Sequence, residues 1–295
     1  MTLSGSPQKS PITRRRFLGA GACAAGGFAL YAGEIARHWI EVSENDVFIP
    51  GLPPAFEGFR IAQISDIHMD EFTEAFFVHE VVNRVNGLNP DAVFLTGDFV
   101  TAEFAPRKFA IGAGWQCAGI LKQLKCRQRY AVLGNHDVMI GADEVSEALT
   151  DNGIIVLRNY YTPLERSGGR IWLAGLADPL QGCPDPEATM PASICNVPGE
   201  PMILLCHAPD YVDDLLMHPS GKAVSLMLCG HTHGGQVRLP LIGPLILPRM
   251  GRKYVKGWFR FGRLQMHVNR GIGTVGVPFR LDCPPEISML TLRAG

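Results

Sequence analysis

Residues 59–68 read FRIAQISDIH, an apolar run that closes on an aspartate and a histidine. The run over residues 59–65 predicts a buried β-strand with Asp66 at its carboxyl end. A helical apolar stripe over residues 74–86 predicts that an α-helix follows, and residues 92–96 predict a second strand, which delivers Asp98. Strands that alternate with helices in this way indicate an α/β fold whose functional loops follow the carboxyl ends of the strands.

The rest of the chain continues this alternation and then becomes richer in strands. We expect helices over residues 109–124 and 210–217, and strands over residues 130–133, 154–157, 171–177, 202–206, 226–229, 264–269 and 287–292. With 295 residues, 46% hydrophobic content and a mean hydropathy of +0.09, the chain can bury a sizeable core. We predict one domain over residues 59–295, preceded by a linker and lead-in over residues 39–58.

Residues 1–38 are interpreted as a targeting segment. The run Thr13-Arg14-Arg15-Arg16-Phe17-Leu18 precedes an uncharged, Ala- and Gly-rich stretch over residues 17–33, and together they resemble a twin-arginine export signal. The alternative is a basic patch followed by a buried helix. Ala29-Leu30-Tyr31-Ala32 is a weak cleavage site, so residues 1–38 are either removed or kept as a membrane anchor. We therefore expect export through the twin-arginine machinery to a periplasmic, cell-wall or extracytoplasmic membrane-associated location.

Charge and cysteine content exclude several classes of protein. Residues 1–40 carry a charge of +4, which leaves −5 for the remainder of a chain whose net charge is −1. An acidic body without a Lys/Arg stripe argues against a stable nucleic-acid partner. The eight cysteines include no C-x-x-C pair, which argues against a zinc ribbon. Cys206 and Cys229 lie in apolar runs and are predicted to be core residues.

Five polar runs each end an apolar, strand-like segment. They are Asp66-Ile67-His68, Gly97-Asp98, Gly134-Asn135-His136-Asp137, Cys206-His207 and Gly230-His231-Thr232-His233. One run alone would indicate a hydrogen-bonded structural histidine, but five in this order predict a common metal site. Carboxylates combined with imidazoles suit Mn²⁺, Fe²⁺ or Zn²⁺, whereas all-oxygen ligands suit Mg²⁺ or Ca²⁺.

These runs resemble the calcineurin-like metallophosphoesterase superfamily, and the match spans Asp66 to His233. Residues 272–287 also resemble the bacterial branch that is often exported by twin-arginine signals. The resemblance implies a four-layer αββα sandwich, α/β or by some schemes α+β, in which two mixed sheets are flanked by helices. It also implies two divalent metal ions, with Asp66, His68 and His233 on one metal, Asn135, His207 and His231 on the other, and Asp98 as the bridge.

The resemblance assigns the remaining residues of the third run to catalysis. His136 would donate a proton to the leaving oxygen or clamp the phosphoryl group, with Asp137 as its orienting partner. The alternative for His136 is support of a metal ligand. Thr101 stands where purple acid phosphatases have a tyrosine ligand, which argues against redox-active iron. The loop over residues 99–103 lacks the aspartate and arginine of protein serine/threonine phosphatases, which argues against phosphoprotein substrates.

Substrate recognition is less well specified by the sequence. Residues 237–248 are apolar and proline-rich, so they either pack under their own domain or present an apolar lip to lipid or a membrane surface. Basic and aromatic residues follow, a combination that fits an anionic amphiphile or a component of the cell envelope. Arg270 lies in a glycine turn and is a candidate contact for the phosphate; the alternative is an ordinary turn.

The leading hypothesis is a metal-dependent phosphoester hydrolase of the cell envelope. It would be a phosphodiesterase, phosphomonoesterase or pyrophosphatase that uses a metal-bridging hydroxide for in-line attack. One alternative is a UDP-2,3-diacylglucosamine-type pyrophosphatase of lipid A synthesis, against which export counts because that precursor is cytoplasmic. Another is a non-catalytic metal-binding envelope protein, whose expected mark, loss of a ligand or of His136, is missing from this sequence.

Overall fold

The fold consists mainly of two six-stranded sheets with flanking helices. The structure is a computed structural model that describes residues 13–70, 72–102, 106–195 and 197–295. The helices are α1 Arg14–Leu30, α2 Ala75–Leu88, α3 Arg107–Leu121, α4 Asn135–Asp151, α5 Pro186–Thr189, α6 Ala192–Cys195 and α7 Val212–Met217. The strands are β1 Glu41–Ile49, β2 Arg60–Ile64, β3 Ala92–Leu95, β4 Gln128–Ala131, β5 Ile155–Val156, β6 Tyr160–Arg166, β7 Gly169–Gly175, β8 Met202–Leu205, β9 Val224–Cys229, β10 Arg238–Leu239, β11 Gly243–Pro244, β12 Gly257–Phe261, β13 Leu264–Val268 and β14 Glu286–Ala294. The predicted signal residues before Thr13, and Glu103 in the loop after β3, lie outside the described residues.

Both large sheets mix parallel and antiparallel pairing. The first sheet has the order β1-β14-β2-β3-β4-β5, in which β2 to β5 run parallel and β14 runs antiparallel to β2. The second has the order β12-β13-β9-β8-β7-β6, in which β13, β9, β8 and β7 run parallel and the two edge strands are antiparallel. In each sheet the parallel strands therefore end at one shared edge.

Alternation along the strands builds the layers of the core. On β3, Val93 and Leu95 pack with the apolar faces of α2, α3 and α4, whereas Phe94 faces the second sheet. On β8, Ile203 faces the first sheet and Leu204 packs outward with α7. Burial of each such side chain contributes about 1.5–3 kcal/mol. The result is the predicted four-layer sandwich of two mixed sheets between helices.

Several elements differ from the sequence prediction. The predicted linker, residues 39–58, contains β1, which pairs in parallel with β14. The sequence shows no clear strand pattern here, because only Val47 and Ile49 of the strand are fully buried and the apolar alternation is therefore short. The chain after Gly134 was predicted only as a turn, yet it enters α4, whose apolar spacing is interrupted by a kink at Gly141 with φ of 151°. The edge strands β6 and β12 were not predicted.

The segment predicted as a signal or anchor ends against the domain. No residue of α1 is buried, but Ala32 and Arg37, just beyond it, are 3% and 8% exposed. The guanidinium of Arg37 pairs with Glu74 at 2.8 Å. Among the residues that the structure describes, no helix combines the length and apolar character that a bilayer crossing needs.

Several buried polar side chains have the structural roles that the sequence predicted. Cys206 and Cys229 are fully buried. All eight cysteines lie in the described part of the chain and none forms a disulfide. His267 lies inside β13, and its Nδ1 is 2.9 Å from Oε1 of Gln63. His267 is therefore a structural core residue whose Nδ1 has a hydrogen-bond partner.

Candidate metal centre

The five polar runs meet where the carboxyl ends of the two sheets face each other. Oδ2 of Asp98, after β3, lies 3.1 Å from Nε2 of His207, after β8. The same oxygen lies 3.5 Å from Nε2 of His68, which in turn lies 3.1 Å from Nε2 of His233. Three overlapping groups have possible ligand atoms within 4.8 Å of one another: Asp66, His68 and His233; His68, Asp98 and His136; and Asp98, His207 and His231.

The backbone at these residues is unusual. Five of the predicted ligands have left-handed conformations: φ is 49° at Asp66, 48° at His68, 56° at Asp98, 73° at His231 and 49° at His233. Each such conformation costs a non-glycine residue about 1–3 kcal/mol and persists only where the surroundings impose it. Their concentration at one place is typical of a functional site and had no signal in the sequence.

Unsatisfied polar atoms in the site fit divalent cations. Asp66, His68 and His207 are 0% exposed. Within the described residues, Oδ1 of Asn135 and Nε2 of His207 are buried and have no hydrogen-bond partner. Nε2 of His207 is close to Asp98 but lacks the alignment of a hydrogen bond. An unpartnered buried polar atom costs about 1–3 kcal/mol, which coordination of a cation would remove.

The histidine rings are fixed through their outer nitrogens. Nδ1 of His207 lies 2.7 Å from the carbonyl oxygen of Thr96, and Nε2 of His231 lies 2.7 Å from that of Arg249. A carbonyl oxygen only accepts hydrogen bonds, so the ring nitrogen next to it carries the proton. The other nitrogen of each ring then has a free lone pair and is left as the ligand atom. Nδ1 of His68 similarly contacts Oγ1 of Thr101 at 3.3 Å, which leaves its Nε2 in the site.

The electrostatics of the centre follow from close packing of acids and imidazoles. Burial opposes ionisation of Asp98, but His207 and His136 outweigh it and hold the pKa of this carboxyl well below its usual range. Burial raises the pKa of Asp66. Burial lowers the pKa of both His136 and His231 to about 4. These two imidazoles are therefore neutral at pH 7, the form in which histidine binds metals.

Asp137 has a different role from the one predicted. Its carboxylate accepts backbone N–H groups of Asp98 at 2.8 Å, of Phe99 at 2.8 Å and of Gly134 at 2.9 Å. Its hydrogen bonds all come from backbone N–H groups and none from the ring of His136, whose Nδ1 instead accepts the N–H of Ala102. Asp137 instead holds the loop that presents Asp98, while a side chain at Gly134 would collide with the Asp98 carboxylate.

His136 lies at the rim of the centre, where the sequence placed a catalytic group. It is 7% exposed, and its Nδ1 accepts the backbone N–H of Ala102 at 3.0 Å. With Nδ1 occupied as an acceptor, the neutral ring carries its proton on Nε2. His136 therefore offers an Nε2–H donor beside Asp98.

Arg270, the predicted phosphate contact, has its guanidinium paired with carboxylates. Its Nε lies 2.9 Å from Oε2 of Glu286 and its Nη1 lies 3.1 Å from Oε2 of Glu41. The side chain is 11% exposed. Two carboxylates neutralise this cation, so it ties β14 to β1 instead of binding a phosphate; the glycine-turn alternative was the better one.

Sequence reasoning missed Asp178, which follows β7 at the same edge. Asp178 is 1% exposed, and its Oδ2 accepts the N–H groups of Leu180 at 3.0 Å and Gln181 at 2.7 Å. Its Oδ1 has no partner within the described residues. Burial raises its pKa, and His207 acts in the opposite direction. The signal was available, since an apolar strand ending in aspartate is the pattern of Asp66 and Asp98.

Known proteins with this arrangement are found by sequence and by structure. A family model described as calcineurin-like phosphoesterase matches residues 59–235. Metallophosphoesterase YkuE of Bacillus subtilis is 33% identical over 96% of this chain and 98% of its own length. Phosphodiesterase YaeI of Escherichia coli is 32% identical over 95% of this chain and 99% of its own length.

A solved structure, the NAD nucleotidase of Haemophilus influenzae, shares the fold. Its TM-score is 0.51 at 17% identity, covering 72% of this chain and 45% of that longer chain. The family match covers all five polar runs, and its relatives align over nearly their whole length. The chain therefore belongs to the calcineurin-like phosphoesterase family, and it is a metallophosphoesterase whose ligand groups fit a binuclear metal centre.

Proposed function

We propose that this protein is a metal-dependent phosphodiesterase that acts on the outer side of the cytoplasmic membrane. The observation that carries the proposal is the convergence of buried acids and imidazoles on Asp98, together with the unpartnered atoms of Asn135 and His207. The relative named phosphodiesterase YaeI supports diesters as the substrate class. The nitrogen and oxygen donors favour Mn²⁺, Fe²⁺ or Zn²⁺.

Each residue has a definite task in this proposal. Asp66, His68 and His233 would hold one cation, Asn135, His207 and His231 would hold the other, and Asp98 would be a ligand shared by both. When bound, the two cations supply Lewis acidity and an activated water for in-line displacement at phosphorus. His136 directs its Nε2–H toward the phosphoryl group or the leaving oxygen. Asp137 keeps the Asp98 loop in place through the four backbone hydrogen bonds that its carboxylate accepts.

The activity test uses a chromogenic phosphodiester with added Mn²⁺. We expect Asp98→Ala to abolish hydrolysis and His136→Ala to reduce kcat about 10²–10⁴-fold, the usual contribution of a positioned proton donor. His79→Ala, on α2 outside the centre, is the matched control and keeps the wild-type rate. A wild-type protein that binds metal but hydrolyses no ester in a broad panel would favour the non-catalytic alternative.

Export is the second part of the proposal. Arg14, Arg15 and Arg16 begin α1, whose apolar side chains are exposed, as a transported signal requires. Arg14→Lys/Arg15→Lys should retain the protein in the cytoplasm in cell fractionation, whereas Arg16→Lys should leave export intact. Equal export of the wild type, the double variant and the Arg16→Lys variant would contradict the twin-arginine assignment.

One specific observation keeps the lipid-nucleotide pyrophosphatase as a second candidate. Residues 241–246, near the centre, expose apolar side chains that suit an acylated substrate. A preference of several orders of magnitude for UDP-2,3-diacylglucosamine over simple diesters would establish this candidate. Comparable rates on both would leave the general phosphodiesterase.

A further inference from the structure

We propose that three contacting segments form a membrane-docking face beside the metal centre, through which the enzyme reaches phosphodiesters of membrane-resident amphiphiles. The segments are the hairpin over residues 237–248, the loop over residues 275–281 and the end of the N-terminal helical segment, residues 30–35. We call them together the docking rim. This inference rests on the proposed function and adds to it the surface and the physical state of the substrate.

The hairpin resolves the alternative that its sequence left open. Leu241 is 107% exposed, Ile242 71% and Ile246 84%, so these side chains pack under nothing in the described protein. The base of the hairpin is joined to the metal-ligand loop, because Nη1 of Arg238 donates to the carbonyl oxygen of Gly234 at 2.9 Å. Gly234 directly follows the predicted ligand His233. The apolar tip is therefore carried by the same loop that builds the centre.

The second segment is hydrogen-bonded to the first. Nε2 of Gln236 donates to the carbonyl oxygens of Val275 at 3.1 Å and Val277 at 2.8 Å. The backbone N–H of Arg238 donates to the carbonyl oxygen of Leu281 at 3.0 Å. Between these bonds, Val277 and Phe279 are 48% and 38% exposed. Exposed apolar side chains thus continue from the hairpin onto its neighbour.

The third segment joins the loop from the N-terminal side. The backbone N–H of Arg280 donates to the carbonyl oxygen of Ala32 at 3.0 Å. Phe279 packs against Gly33 so closely that a Cβ there would lie 2.9 Å from its ring. Around this contact Leu30, Tyr31 and Ile35 are 60%, 49% and 50% exposed. Nine large apolar side chains of the three segments, from Leu30 to Phe279, are therefore exposed.

A lipid bilayer fits this surface because the rim continues into α1. That helix buries no residue, exposes Phe17, Leu18 and Phe28, and begins with three arginines. Exposed Arg249 and Arg252 follow the hairpin. Apolar side chains flanked by arginines match the boundary between acyl chains and anionic headgroups, to which the arginines are attracted.

The direct test measures insertion of the hairpin itself, so that binding through α1 does not decide the outcome. Full-length protein carrying Ile246→Trp is mixed with phosphatidylglycerol/phosphatidylethanolamine vesicles that contain brominated acyl chains. We expect tryptophan quenching clearly above that of the parent protein. Met217→Trp, at a position 86% exposed on α7, is the matched control and should match the parent. Equal quenching of both variants at the parent level would overturn the proposal.

A kinetic test links docking to substrate choice. The triple variant Leu241→Ser/Ile242→Ser/Ile246→Ser is compared with Met217→Ser on a water-soluble chromogenic diester and on the same diester with a long acyl chain dissolved in those vesicles. We expect the ratio of vesicle rate to soluble rate to fall at least tenfold in the triple variant only. An unchanged ratio would contradict the inference, whereas absence of soluble hydrolysis in the parent would contradict the proposed function and leave the quenching result valid.

Discussion

Asp137 illustrates how a single buried carboxylate sets the geometry of the centre without touching a metal. The four backbone hydrogen bonds that it accepts hold Asp98 in a left-handed conformation that the chain does not favour by itself. Asp137→Asn replaces one acceptor oxygen by a donor. We expect the Mn²⁺ affinity, measured by calorimetric titration, to fall about 10–100-fold, the usual effect of losing such a supporting group.

The control for this variant lies on the same helix. Asp143 of α4 pairs with Arg158 at 2.6 Å, and its side chain is 91% exposed. Asp143→Asn should leave Mn²⁺ affinity unchanged, because exposed ion pairs contribute little. Similar affinities in the Asp137→Asn and Asp143→Asn proteins would show that the Asp98 loop holds its shape by other means.

For individual residues, the sequence predicted which side chains belong to the candidate site better than it predicted their backbone conformation and contacts. Residue type and order predicted Asp66, Asp98 and His207 as ligands, because carboxylates and imidazoles suit such cations, and the structure brings these three residues into one cluster. Their left-handed backbone could not be predicted, because it depends on contacts such as those of Asp137 with a loop 39 residues away. Arg270 was misassigned for the same reason, since its carboxylate partners are distant in sequence.

Among the structural elements, β13 carries a prediction about pH. Burial lowers the pKa of His267 to about 4 from 6.5, with Glu286 acting in the opposite direction. The unfolded chain therefore binds this proton more readily, so stability is complete above about pH 6.5 and falls as the pH drops toward 4. Between pH 7 and pH 5 we expect His267 to account for about 2 kcal/mol of the loss in the free energy of unfolding.

Denaturant unfolding of the metal-free protein at both pH values checks this expectation. His267→Asn keeps a donor for Gln63 but cannot be protonated, so its free energy of unfolding should fall less between pH 7 and pH 5 than that of the wild type. His79→Asn on α2 should retain the wild-type pH dependence. Parallel pH dependences of wild type and His267→Asn would refute the assignment.

Strand and helix prediction succeeded where apolar periodicity is strong and failed where it is weak. The stripe that predicted residues 74–86 became α2, with bounds shifted by one or two residues. By contrast, β1 is an edge strand whose polar residues face solvent, and its pairing with β14 is made by backbone groups. A strand fixed by backbone pairing leaves little trace in residue pattern.

For the whole molecule, the centre joins the two sheets. The groups around Asp98 come from both, with His68 after β2 and His207 after β8. Bound cations would stabilise the folded state by about 2.7 kcal/mol at 100 times the dissociation constant. We expect Mn²⁺ to raise the unfolding midpoint by about 5 °C or more over the chelated protein. The midpoint of Asp98→Ala should respond far less, and an equal response would contradict binding at this place.

The layered architecture was predicted from the family resemblance and not from periodicity alone. Periodicity indicated alternating strands and helices, but the packing of the two sheets depends on a shared core cluster, with Phe94 from one sheet and Ile203 from the other, that no local pattern specifies. The docking of residues 31–38 onto the loop at Arg280 was likewise beyond prediction, because the predicted signal had no expected contact with the domain.

The most direct measurement is anomalous diffraction from crystals of the full chain grown with Mn²⁺. The account predicts two manganese peaks roughly 3.5–4 Å apart. One should be bound by Asp66, His68 and His233, the other by Asn135, His207 and His231, with Asp98 between them. Absence of metal at these residues, or a peak elsewhere with these side chains still unpartnered, would contradict it.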